Sequence, residues 1–141
     1  MYQPSAEELK SVEEWFADYD ALAERGSIEQ LADLAVFPMN VATDTPGGYA
    51  SVRQWTRAEY VEAMKESMGG GTAGLDLRST RTPRFLTPNL VVVETEATMT
   101  IEGQEHRMHY VDLLVRAENG WAFQTMVQGG WGHGWPSAKR G

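Results

Sequence analysis

Residues 102–128, EGQEHRMHYVDLLVRAENGWAFQTMVQ, decide the fold of this chain. The pairs Glu102-Gly103 and Asn119-Gly120 each predict a two-residue hairpin turn, because glycine and asparagine accept the left-handed backbone that such turns require. The runs on both sides of each turn are rich in apolar and β-branched residues, so the segment predicts neighbouring antiparallel strands. We expect strands near residues 74–82, 89–101, 104–116 and 121–128.

The register of these strands makes a prediction about Asp112. Pairing outward from the first turn places Asp112 opposite Val93, and pairing outward from the second turn places it opposite Val127. Because directly opposed residues share a face, both hairpins predict Asp112 on one apolar face that the helices cover. The other members of this face are Val91, Val93, Ala97, Met99, Met108, Tyr110, Leu114, Phe123 and Val127.

The opposite face of the same strands combines charged residues with an apolar patch. Glu96 lies opposite His109 in this register, which predicts an ion pair. The patch is too apolar to face water, so we expect a homodimer through this outer face of the sheet. Its residues are Val111, Leu113, Val115 and Met126.

Three capping-box patterns predict three helix starts upstream of the long strands. They pair Ser5 with Glu8, Ser27 with Gln30, and Thr56 with Glu59. The helices are expected over residues 6–25, from residue 28 to about 35, and over residues 57–68. Short extended pieces are expected at 39–43 and 49–54. The chain therefore predicts a single α+β domain over residues 1–141.

Composition narrows the classes of partner and compartment. The net charge of -8 over 141 residues argues against nucleic acid or an anionic membrane as a partner. The chain contains no cysteine, which fits the reducing cytoplasm where we expect the protein to reside. No apolar run reaches the roughly 20 residues of a membrane span, and residues 1–8 lack the pattern of a signal peptide.

This order of elements resembles the nuclear transport factor 2-like superfamily, in its SnoaL-like and ketosteroid isomerase-like branch. The resemblance covers nearly the whole chain and implies a cone-shaped, curved mixed or antiparallel sheet wrapped around three helices of the N-terminal half, a cystatin-like α+β roll. Members include isomerases, polyketide cyclases, dehydratases and proteins that only bind ligands, so the fold alone does not choose the function. The segments that carry the resemblance are Trp15-Phe16, Gly26-Ser27-Ile28, Phe37-Pro38, and the run from Tyr110 to Arg116 followed by Asn119-Gly120-Trp121.

The ketosteroid isomerase pattern implies three catalytic residues. Tyr19, seven residues before the closing Gly26, matches the oxyanion-hole tyrosine. Asp112, in the middle of its strand, matches the oxyanion-hole aspartic acid. Asp44, which precedes a proline-glycine turn, matches the general base when one residue is inserted. In the SnoaL-like cyclases an acidic residue of the sheet performs acid-base work, and Asp112 again holds the matching position.

Each of these three residues also has a purely structural interpretation. Asp112 is either a functional acid whose pKa is raised by burial, or a structural acid tied to Arg116, Thr95 or a backbone amide. Tyr19 is either a hydrogen-bond donor to a ligand or an ordinary core tyrosine. Asp44 is either the base or the cap of its own turn.

Further apolar and aromatic side chains are expected to line a pocket for a small hydrophobic ligand. They are Trp15, Phe16, Trp55, Met64, Val93, Tyr110, Val127 and Trp131. The tail that contains Trp131 and Trp135 either lines the mouth of the cone or packs at the edge of a dimer.

No metal and no organic cofactor are expected. His106 and His109, three residues apart on a strand, face opposite sides of the sheet. Residues 69–74, GGGTAG, match the letters of a dinucleotide-binding motif, but they follow a helix and enter a strand, whereas the motif requires a strand before its turn and a helix after it. Three arginines scattered over both sides of one strand are expected on a solvated surface: Arg78, Arg81 and Arg84.

Two functional hypotheses follow. The first is an isomerase or cyclase in which Asp44 removes a proton next to a carbonyl of an aromatic or polycyclic ligand, while Tyr19 and Asp112 stabilise the enolate. The second is a binding or accessory domain with the same pocket and no chemistry. The direction in which Asp44 points distinguishes the two hypotheses.

Overall fold

A computed structural model describes residues 1–44, 47–68, 76–101 and 103–129 of the chain. These residues form three helices and six strands. Their order is α1 (Ala6–Glu24), α2 (Ile28–Ala32), β1 (Ala35–Asp44), β2 (Ala50–Trp55), α3 (Arg57–Met68), β3 (Asp76–Thr87), β4 (Leu90–Ile101), β5 (Gln104–Ala117) and β6 (Gly120–Gln128).

The six strands form one curved, unclosed sheet in the order β2-β1-β6-β5-β4-β3. β1 runs parallel to β6, and the other neighbouring pairs are antiparallel, so the sheet is mixed. The predicted α+β architecture is confirmed. We call the sheet face that carries Asp112 the inner face, and the opposite face, which carries Val127, the outer face.

Two of the three predicted capping boxes are present. At α1 the Glu8 amide donates to Ser5 Oγ at 3.1 Å and the Ser5 amide donates to Glu8 Oε1 at 2.9 Å, and Thr56 and Glu59 repeat this exchange at α3. Ser27 makes no capping hydrogen bond through its side chain, so that prediction is wrong. Among the described helices, none is both long enough and apolar enough to cross a membrane.

Helix α2 is shorter than predicted, because strand β1 begins at Ala35, where the last turn of the helix was expected. α2 ends at Ala32, and the Phe123 amide donates to the Leu34 carbonyl at 2.9 Å. Ala35 already pairs with Phe123 as the first residue of β1. The Asp33 and Leu34 amides still donate to the Glu29 and Leu31 carbonyls, and pairing with β6 begins directly after them.

The first hairpin has the predicted register, with Asp112 opposite Val93. The second hairpin differs in two ways. Its strands close at Ala117 and Gly120, one residue earlier than predicted, and a β-bulge between Leu113 and Leu114 adds a residue to β6. Asp112 therefore lies opposite Met126 instead of Val127.

The bulge changes which side chains of β6 face the helices. Phe123 and Met126 are both buried, whereas Val127 is 43% exposed. A bulge reverses the alternation of faces at one position, so residues three apart can share a face. The predictions that placed Val127 inside and Met126 outside are wrong for this reason.

The core lies between the inner face and the helices. Helix α1 contributes Val12 and Phe16, and α3 contributes Tyr60 and Met64 to the same buried cluster. At one end of the sheet, Trp121 Nε1 donates to Ser11 Oγ at 3.0 Å, which fixes α1 across the strands. Asp112 is thereby enclosed by sheet and helices.

Candidate functional site

Asp112 is the buried acid of the inner face. It is 3% exposed, and its cross-strand neighbours are Val93, which is fully buried, and Met126. Its Oδ1 atom is buried and has no hydrogen-bond partner among the described residues. A buried carboxyl oxygen without a partner is costly, which is a common property of functional acids.

Burial raises the pKa of Asp112 to about 7, and the positive charge of Arg81 offsets only part of this rise. The structural partners considered for Asp112 do not neutralise it. The guanidinium of Arg116 lies over the ring of Trp121 at 4.7 Å, and Thr95 Oγ1 has no partner among the described residues. The carboxyl therefore exchanges a proton close to neutral pH.

Tyr19 projects from α1 toward the inner face within an aromatic group. Its ring stacks on Trp15 with centroids 5.9 Å apart and meets the edge of Phe123 at 5.1 Å. Burial raises the pKa of Tyr19 well above its usual value, and Tyr60 and Asp112 raise it further. Tyr19 is thus a neutral hydroxyl donor close enough to Asp112 to sense its charge.

Two other tyrosines sense the same carboxylate. Burial raises the pKa of Tyr60, and the charge of Asp112 adds to the rise. The pKa of Tyr110 is raised by burial and then by Asp112, while Arg81 opposes the rise. Three phenols, from α1, α3 and β5, therefore lie within electrostatic range of one buried acid.

Arg81 belongs to the inner face, and its predicted position on a solvated surface is wrong. Its Nη1 and Nη2 atoms bind both carboxylate oxygens of Asp20 on α1, at 2.7 and 2.8 Å. Its guanidinium lies 4.2 Å from the centroid of the Phe16 ring. Burial alone would lower the pKa of Arg81, but the hydrogen bonds and charge of Asp20 outweigh it and leave the pKa raised.

The inward position of Arg81 can be inferred from the sequence, although three arginines spaced over both faces of one strand suggested a solvated surface. Residues 81, 83 and 85 share one face of β3, and Phe85 is buried. The alternation of a strand therefore carries Arg81 inward. Arg84, in contrast, is exposed and lies 3.7 Å from Glu94.

Asp44 lies on the outer face. Along β1, Val41 and Thr43 are buried, and Asp44 is exposed at the next position. Its Oδ2 atom lies over Gly129, 2.9 Å from where a β-carbon on that glycine would stand. The structure therefore does not bring Asp44 together with Tyr19 and Asp112.

The other predicted site residues fall into three groups. Val93 lies directly opposite Asp112, and Tyr110 lies two residues before it on the same face of β5. Trp15, Phe16, Trp55 and Met64 belong to the core cluster or pack against it. Val127 faces outward. Trp131, Trp135 and residues 69–74 lie outside the described residues.

The predicted ion pair of the outer face has a different partner. Glu96 does lie opposite His109, but His109 Nε2 lies 2.9 Å from Glu94 Oε2. Glu94 also lies 3.7 Å from Arg84, and its contact with His109 is a diagonal pair between neighbouring strands.

The sequence matches no protein-family model and no curated protein. Its fold does match solved structures. A putative scytalone dehydratase from Novosphingobium aromaticivorans DSM 12444 is 20% identical, with a TM-score of 0.62 over 86% of this chain and 82% of the other. A ketosteroid isomerase-like protein from Erwinia carotovora atroseptica SCRI1043 is 17% identical, with a TM-score of 0.57 over 89% and 97%.

An NTF2-like protein of unknown function from Shewanella oneidensis MR-1 is 11% identical, with a TM-score of 0.68 over 86% of this chain and 98% of the other. These likenesses agree with the element order and the mixed sheet. The chain therefore has the nuclear transport factor 2-like, cystatin-like fold.

Replacing Asp112 by asparagine should remove a pH dependence of stability. Between the unfolded pKa near 3.8 and the folded pKa of about 7, the folded chain binds more protons than the unfolded chain, so stability falls as pH rises. From pH 5 to 8.5 this difference is on the order of 2–3 kcal/mol in the free energy of unfolding. Urea denaturation of wild type and Asp112→Asn at several pH values measures it.

Asp44→Asn is the matched control for this measurement, because it removes an exposed carboxylate of the outer face. Its stability should follow the wild-type dependence on pH. Parallel curves for wild type and Asp112→Asn would contradict a raised pKa at Asp112.

Proposed function

We propose that this chain is a small-molecule enzyme that performs acid-base chemistry next to a carbonyl of a hydrophobic ligand, with Asp112 as the proton carrier. The observation that supports it is one buried carboxyl with a pKa of about 7 beside a neutral tyrosine hydroxyl. A group that titrates near neutral pH can both accept and return a proton. The apolar and aromatic walls around it suit an aromatic or polycyclic ligand.

In the proposed reaction, ionised Asp112 takes a proton from the carbon next to the carbonyl. The electron pair of the broken C–H bond moves to the oxygen and forms an enolate. The hydroxyl of Tyr19 donates a hydrogen bond to that oxygen, and protonated Asp112 then returns the proton to the same or another carbon. Return to the same carbon exchanges the proton with solvent, and return to another carbon gives an isomerisation.

Asp112 takes the role of base in this proposal because Asp44 lies on the outer face. Among the other acids described near the inner face, Asp20 is held by Arg81 through both oxygens. Both oxygens of Asp20 are therefore committed to that ion pair. In this proposal Asp112 both removes and returns the proton, in place of the two acids, Asp44 and Asp112, that the sequence predicted.

The similar structures support the same class of reaction. One is described as a putative scytalone dehydratase and another as ketosteroid isomerase-like. At 20% and 17% identity they share the fold with this chain. The proposal for this chain depends on its own buried acid.

The second candidate function is ligand binding without chemistry. The outward position of Asp44 favours it, because the expected second acid-base group is not beside Asp112. Both candidates use the same interior and differ only in whether protons move.

Proton exchange of an aromatic ketone should distinguish the two. We expect wild type to accelerate the exchange of the acetyl protons of 2-acetonaphthone in deuterated water, followed by proton NMR. The rate should rise as pH increases toward about 7 and then level, because the ionised form of Asp112 is the base. Asp112→Asn should slow it by about 10²-fold or more.

Asp44→Asn should exchange these protons at the wild-type rate. Slow exchange in that variant, with normal exchange in Asp112→Asn, would return the role of base to Asp44. Binding of the ketone without any acceleration would favour the non-catalytic candidate.

Removing the Tyr19 hydroxyl should weaken binding of the same ketone. One neutral hydrogen bond contributes about 1 kcal/mol, so we expect roughly a fivefold rise in Kd for Tyr19→Phe. Quenching of tryptophan fluorescence measures it, because Trp15 stacks on Tyr19. Tyr2→Phe is the control, since the Tyr2 hydroxyl is bound to Glu8 at 2.6 Å; equal losses in both variants would argue against a ligand contact at Tyr19.

We also propose that the protein, expected in the cytoplasm, forms a homodimer through the outer face. The register places four apolar residues in one row across four strands of this face, with Val52 at 72% and Val127 at 43% exposure. The row consists of Val52, Ala42, Val127 and Val111. Such an exposed apolar row favours association.

A charge in the middle of this row should separate the dimer. Val127→Asp is expected to halve the molar mass measured by light scattering, because an unpaired carboxylate in an apolar interface costs several kcal/mol. Leu9→Asp on α1, where Leu9 is 37% exposed, is the control and should leave the mass unchanged. A wild-type mass equal to one chain would refute the dimer.

A further inference from the structure

Four buried polar side-chain atoms have no hydrogen-bond partner among the described residues. They are Trp15 Nε1, Arg81 Nε, Thr95 Oγ1 and Asp112 Oδ1. Proteins satisfy most of their buried polar atoms, so such a group in one region points to a missing polar partner. Three of the four play no part in the reaction proposed above, and two of these three, Arg81 and Thr95, are neighbours in the sheet.

The sheet register brings Arg81 and Thr95 together. Arg81 on β3 lies directly opposite Thr95 on β4, and both face inward. Thr95 is fully buried, and the next residue of the same row is Tyr110 on β5. Directly opposed side chains in an antiparallel pair have β-carbons about 5 Å apart. The side chains of Arg81 and Thr95, each with a buried donor that lacks a partner among the described residues, thus start side by side on the inner face.

This pair lies one row away from Asp112. The row that contains Asp112 also contains Pro83 and Val93, each two residues along its strand from Arg81 or Thr95. Two residues along a strand span roughly 7 Å. The two polar regions are therefore separated by about the length of a fused ring system.

A cleft of about 310 Å³ lies between α1 and β3 and reaches Arg81, one member of the pair. Its lining includes Phe16, Asp20, Arg81, Pro83 and Val93. Phe16 and Val93 are apolar walls, so the cleft is suited to a ring that carries a polar group at one end. Val93 is also the residue directly opposite Asp112, so one side chain separates the cleft from the row of the acid.

The charge around the pair decides the kind of group that it would hold. The Arg81 charge is already matched by Asp20, which binds both of its terminal nitrogens. What remains is a single N–H donor beside a hydroxyl, with the carboxyl of Asp112 in the next row. An anion would meet no unpaired positive charge here, whereas a neutral oxygen would meet two donors.

We propose that Arg81 Nε and Thr95 Oγ1 form a second polar subsite, which holds a neutral acceptor oxygen of the ligand at the end opposite to its reacting carbonyl. The ligand class is then a neutral aromatic or polycyclic ketone with a second ether, carbonyl or hydroxyl oxygen. This inference depends on the proposed function, since it describes the same ligand.

Three matched probes test the subsite. They are 2-acetonaphthone with a 6-methoxy, a 6-ethyl or a 6-carboxylate group. The methoxy and ethyl groups have nearly the same shape and differ by one acceptor oxygen. We expect wild type to bind the methoxy ketone about fivefold more tightly than the ethyl ketone, the effect of one net hydrogen bond, and the carboxylate no more tightly than the ethyl ketone.

Two variants assign the preference to the pair. Thr95→Val keeps the shape of the side chain and removes the hydroxyl, and Arg81→Lys keeps the charge beside Asp20 and removes the Nε–H. Both variants should lower the ratio of the affinities for the methoxy and ethyl ketones toward one. Thr98→Val, on the outer face of the same strand, should keep it. Thr95→Val should also unfold at or above the wild-type temperature, because it removes a buried hydroxyl without a partner.

The outcomes separate this inference from the proposed function. If 2-acetonaphthone binds in a Tyr19-dependent manner but methoxy and ethyl ketones bind equally, the subsite is refuted and the proposed function remains. A preference that survives both variants, a preference for the carboxylate, or a marked loss of stability in Thr95→Val also refutes it. If wild type binds none of the ketones, both proposals fail together.

Discussion

The burial of a single carboxyl on the inner face is the constraint on which the rest of the site depends. Asp112 occupies a position that the alternation of β5 assigns to the core, between Val93 and Met126. Water is excluded there, and the raised pKa of Asp112 is the physical consequence. Neighbouring phenols are affected in turn, because each one that lost its proton would place a second negative charge beside this acid.

Helix α1 converts that buried acid into an enclosed site. Its aromatic residues Trp15, Phe16 and Tyr19 cover β6 through edge and stacking contacts. Asp20, one residue further, crosses to β3 and binds Arg81 in a bidentate pair. One face of α1 therefore supplies an apolar cover, a hydroxyl donor and the counter-charge of Arg81. Displacement of α1 would remove all three from the inner face.

The sequence predicted the parts of the fold that depend on short-range chemistry. The Glu102-Gly103 turn fixed the pairing of Asp112 with Val93, because nothing interrupts β4 and β5 between the turn and that pair. Two predictions failed because the pattern of residues did not reveal the feature that decides them. The bulge in β6 reverses Val127 and Met126, and the partner of Arg81 lies 61 residues away on α1. The alternation of β3 does indicate that Arg81 faces inward, but it does not identify Asp20 as its partner.

The outward position of Asp44 has the largest consequence for mechanism. A site with two inner carboxylates can divide proton removal and oxyanion stabilisation between them, as the sequence implied. Among the residues that the structure describes, Asp112 is the one inner-face acid whose pKa is raised toward neutrality, and the neutral Tyr19 within its electrostatic range is a hydrogen-bond donor with a pKa too high to act as a base near neutral pH. The proposed reaction therefore cycles one proton on and off Asp112, and a pKa close to neutrality is the value at which both halves of that cycle remain accessible.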